Sequence, residues 1–118
     1  MIRIFPLLLI LAAGPARADD PVIEHVEAQR SGMGWRITVT LSHPDTGWDR
    51  YADGWAVLDA DGNRLGFREL MHPHVHEQPF TRSLFDVMIP DGASQVFLRA
   101  RCSEDGWSES LTSVPLRK

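Results

Sequence analysis

The chain has 118 residues, 12 Lys and Arg against 16 Asp and Glu, and a single cysteine. That length supports one compact domain and excludes an α/β barrel, which needs about 250 residues. A net charge of −4 withholds the basic face that nucleic acid requires, and one cysteine excludes an internal disulfide.

The amino terminus reads as an address. Met1-Ile2-Arg3 is a short basic start, Ile4 to Ala13 is apolar apart from Pro6, and Ala16-Arg17-Ala18 has the form a signal peptidase cuts. The apolar run is about half the ~20 residues that a membrane helix needs. Residues 1–18 are therefore expected to be a signal peptide and residues 19–118 the mature domain, with no membrane span after cleavage. No cysteine follows the apolar run, which argues against a lipid-anchored form. A periplasmic or secreted location follows.

Beyond the signal, short stretches of period-two alternation recur between turn signals. Val22 to Ala28 predicts a first strand with Val22, Val26 and Ala28 on one side. Trp35, Ile37, Val39 and Leu41 alternate with polar residues in a second. A polar loop, Ser42 to Gly54, leads to a third strand at Trp55–Leu58. Asp59 to Asn63 is a hairpin turn, because Asp-Gly tolerates the positive φ of tight turns. Its spacing is superficially that of a calcium loop, but the twelfth position, which should be Glu, is Leu70.

Arg64 to Met71 returns as a fourth strand, His72 to Pro79 is a loop, and Phe80 to Ile89 is a fifth strand. A turn at Pro90–Gly92 precedes a sixth, in which Val96, Leu98, Ala100 and Cys102 share parity. Cys102 should then be a buried, inert thiol. After a loop at Ser103–Ser108, Leu111 to Leu116 closes as a seventh strand, with Pro115 suiting an edge. Seven short strands in this length predict an all-β fold, an immunoglobulin-like sandwich with Trp55 in its core.

Val96-Phe97-Leu98-Arg99-Ala100-Arg101 followed by Asp105-Gly106-Trp107-Ser108-Glu109 resembles the end of fibronectin type III domains. His72-Pro73-His74 with Glu77-Gln78-Pro79-Phe80-Thr81-Arg82-Ser83 resembles a family of small exported bacterial proteins without an established function. Together the likeness runs from Trp35 to Leu116. It departs from fibronectin type III at Ser94, where those domains usually carry tyrosine.

In a sandwich of this wiring the loops after strands two, four and six fall at one end, and loops on a rigid scaffold carry binding. They hold Trp48, Tyr51 and Trp107, candidate aromatic contacts, with Glu77 beside them. They also hold His72, His74 and His76, alternating so that two imidazoles point one way and could meet zinc or copper. Met71 or Glu77 would add a further ligand. The competing reading is a polar loop in which one histidine caps a strand and the others are solvated. Distant His25 and His43 are expected to be structural or exposed.

No nucleophile elbow, phosphate loop or metalloprotease motif occurs, and no carboxylate pair takes acid and base roles. The function expected is a non-catalytic binding module, a monomer that contacts an exported protein or a glycan through its loop end. The alternative is a periplasmic copper- or zinc-binding protein. An orphan enzyme ranks last.

Overall fold

The computed structural model describes residues 20–117, so the expected signal peptide lies outside the described residues. Those residues form eight strands and no helix: β1 (Val22–Ser31), β2 (Gly34–Ser42), β3 (Ala52–Leu58), β4 (Arg64–Glu69), β5 (Phe80–Val87), β6 (Gln95–Cys102), β7 (Gly106–Trp107) and β8 (Thr112–Pro115). Among them no helix is long and apolar enough to cross a membrane.

Two antiparallel sheets result. One is ordered β1-β2-β5; the other is β4-β3-β6, with β7 and β8 both on the outer edge of β6. Trp35, Ile37, Val39 and Leu41 of β2 are buried, as their alternation requires. They share a core with Trp55 and Val57 of β3 and with Val96, Leu98 and Ala100 of β6. Inward-facing alternate residues of two packed sheets make a sandwich core, and each large apolar side chain buried there contributes about 1.5–3 kcal/mol. Cys102 is buried as a free thiol.

Three expectations need correction. Val22 is 55% exposed, because the pairing of β1 with β2 shifts register between Ile23 and His25. The bulge reverses parity, so Ile23 joins Val26 and Ala28 against the core in its place. The third strand starts at Ala52 rather than Trp55: Ala52 pairs with Cys102 and Gly54 with Arg101, with Asp53 bulged between them. Finally, the closing strand is in two pieces, because Gly106 and Trp107 pair with Cys102 and Arg101 before β8 resumes along β6 at Leu98. The loop after β6 therefore shortens to 103–105.

The sheets are also tied across one side of the sandwich. Arg68 on β4 donates from Nε to the Ser83 carbonyl of β5 at 2.8 Å. Both strands are sheet edges, so the guanidinium satisfies an edge carbonyl and shields it from pairing with another chain.

Candidate functional site

The loops after β2, β4 and β6 meet at one end, and hydrogen bonds join them. Asp45 is the centre. Its side chain is fully buried, so its charge must be met by donors. Oδ1 accepts from the Ala52 amide at 3.0 Å and lies 2.6 Å from His43 Nδ1; Oδ2 accepts from the His74 amide at 2.8 Å. One carboxylate thus joins the loop after β2, the start of β3 and the loop after β4. Gln78 adds a second tie, accepting from the His43 amide at 3.0 Å and donating to the His74 carbonyl at 2.8 Å.

The third loop is fastened through Arg50. Its guanidinium donates to Glu104 at 2.9 Å and to Asp105 at 2.5 Å. The backbones of Tyr51 and Ser103 are joined as well, the Ser103 amide reaching the Tyr51 carbonyl at 2.8 Å. Between these anchors the chain makes a tight turn: the Arg50 amide reaches the Gly47 carbonyl at 3.1 Å, and Gly47 has φ of +142°. That conformation strains residues with a Cβ. The turn carries Trp48 outward, 69% exposed, edge-on to Tyr51 with ring centroids 5.6 Å apart. Glu77 is exposed beside this end, 3.7 Å from Arg82.

The histidines divide. His74 is buried, stacked on Phe80 at 3.8 Å, and its Nε2 lies 2.9 Å from Arg82, which can only donate. Burial and the nearby Arg82 cation hold its pKa below the ordinary value of 6.5. His72 is exposed, its ring 4.7 Å from that of His74. His76 is exposed. Among the described residues no group of three His, Cys, Asp or Glu is placed to hold a metal ion. His43 is structural: buried against Asp45, with Nε2 lacking a hydrogen-bond partner.

Trp107 is placed elsewhere. It lies on β7, against Phe67 at 6.0 Å, on the outer face of the second sheet. The guanidinium carbons of Arg64, Arg99 and Arg101 approach its ring at 5.6, 5.8 and 5.9 Å. Small residues on β3 make room for this layer. A Cβ on Gly54 would lie 2.5 Å from Cζ of Phe67, so the ring crosses the strand where side chain is missing. Sequence reasoning put Trp107 in a loop and overlooked Arg64 and Phe67. The available signal was Arg99 and Arg101 at outward parity on β6.

Over 86 residues the chain is 38% identical to a protein of Halomicrobium mukohataei whose name reads "Putative lipoprotein". The alignment takes in 73% of this chain and 42% of that protein, so the chain spans less than half of its relative's length. No family model matches the chain, and no solved structure matches it.

Proposed function

We propose that this chain is an exported, non-catalytic binding module that recognises a protein or glycan partner with its loop end. The observation that carries the reading is the joining of three loops, through Asp45 and Arg50, into one surface that presents Trp48. Cross-bonded loops lose little conformational freedom on binding, and an exposed tryptophan on such a base suits an interface anchor. Export is supported by the A-x-A pattern at Ala16–Ala18 and by the name of the relative. The sheet order, β1-β2-β5 against β4-β3-β6-β7, supports a fibronectin type III kind of sandwich.

A second reading, copper or zinc held near His72, draws on the 4.7 Å approach of the His72 and His74 rings. One experiment separates the two. The mature chain is immobilised and exposed to envelope extract of its host, with and without EDTA, beside the Trp48→Ala variant. The binding-module reading expects a partner retained in EDTA and weakened by Trp48→Ala by about 2 kcal/mol, some thirtyfold. Retention that Trp48→Ala leaves unchanged contradicts it, and loss in EDTA alone favours the metal reading.

A further inference from the structure

The outer face of the second sheet carries an unused feature. Beside Trp107 lies a cavity of about 200 Å³, lined by Ala56, Leu58, Gly62, Arg64, Arg99 and Trp107. Its floor is β3, where Ala56 pairs with Arg99 of β6 and with Phe67 of β4. The walls are cationic. Arg64 lies over both Phe67, at 5.0 Å, and Trp107, at 5.6 Å. Arg99 lies 5.8 Å from Trp107 and donates from Nε to the Ser108 carbonyl at 2.6 Å.

Stacking employs the flat face of a guanidinium and leaves its edge donors available. Among the described residues neither Arg64 nor Arg99 forms an ion pair, although acids outnumber bases in this chain by four. Two nearby carboxylates are engaged elsewhere. Asp53 holds Arg101 at 2.5 Å. Asp59 accepts from the Asp61 and Asn63 amides at 2.9 and 2.8 Å in its own turn. Two stacked guanidiniums at the wall of a cavity, neither in an ion pair, can together meet an oxyanion.

The same strands indicate what carries that anion. β3 is paired on both sides, by β4 and β6, and β6 by β3 and the β7–β8 edge. The strands beneath the cavity, β3 and β6, thus leave an extended peptide no free main-chain groups to pair with; the sheet's open edges are β4 and the β7–β8 side. What the cavity offers is guanidinium edges beside an indole and the apolar Ala56 and Leu58. We propose that this cavity binds the anionic group of an acidic polysaccharide, with Arg64 and Arg99 on the oxyanion and the sugar ring over Ala56 and Leu58, beside the edge of Trp107. This site is separate from the loop end and does not depend on it.

The test is binding of the mature chain to heparin and to polygalacturonate at low ionic strength, with neutral dextran and polyglutamate as comparisons. Heparin carries sulfate as well as carboxylate and polygalacturonate carboxylate alone, so the two arms show whether sulfate is required. At least one acidic polysaccharide should bind, more weakly as salt rises. Arg64→Gln gives up no hydrogen bond in the free protein and should weaken binding roughly tenfold. Arg64→Gln with Arg99→Gln should weaken it further, while Trp48→Ala should leave it unchanged. Absence of polysaccharide binding, equal binding by Arg64→Gln, loss of binding in Trp48→Ala, or polyglutamate bound as tightly would each overturn the proposal. The single variant keeps the test valid even if losing the Arg99–Ser108 bond loosens β7.

Discussion

His74 shows what one buried side chain contributes to the loop end. Its ring lies on Phe80 while its amide bonds to Asp45, so it fixes the loop after β4 from two directions. Because its pKa is depressed in the folded chain, the unfolded chain takes up a proton near the ordinary value while the folded chain refuses it. Stability should therefore decline as pH falls through about 6.5 and continue to decline until the folded imidazole is itself protonated. His74→Phe keeps a ring on Phe80 and removes the titration. Its melting temperature should drop less than that of the native chain between about pH 7.5 and pH 5.5; equal drops would show that His74 does not titrate as its surroundings require. In sequence, His74 was one of three equivalent histidines. Nothing in the alternation of His72, His74 and His76 could reveal that His74 alone turns inward, since that follows from Phe80 and Asp45, the latter 29 residues away. Trp48 was legible as a loop aromatic, but Trp107 was not legible as a sheet residue, because a two-residue strand leaves no periodic trace.

At the scale of elements, alternation located β2 and β6 and put the right side chains inward. It failed where register breaks. The extra residue in β1 exchanges Val22 for Ile23, and the start of β3 is made of Ala52, Asp53 and Gly54, too small or too polar to signal a strand. The bulge in β1 yields a prediction. Ile23 lies opposite Leu41 and Val26 opposite Val39, while Glu24 and His25 together face Thr40. Deleting Glu24 should straighten the pairing and keep both apolar residues inward, at the cost of an exposed bond from Ser42 at 2.7 Å. Urea unfolding should register a loss under about 1 kcal/mol. A loss like that of truncating a core leucine, about 2–5 kcal/mol, would mean that the bulge itself is required.

For the molecule as a whole, the sandwich holds two separate surfaces: the loop end with Trp48, and the arginine-lined outer face around Trp107. The first depends on loops behaving as one body. Ala52 opens β3 and His74 lies in the loop after β4, yet both amides donate to Asp45. Hydrogen–deuterium exchange at these two amides measures that unity directly. In the native chain both should exchange roughly a hundredfold or more slower than free amides. In Asp45→Ala both should accelerate together while amides of β2 stay protected. Fast exchange of either amide in the native chain, or acceleration of one without the other, would contradict a loop end built as a single preformed surface.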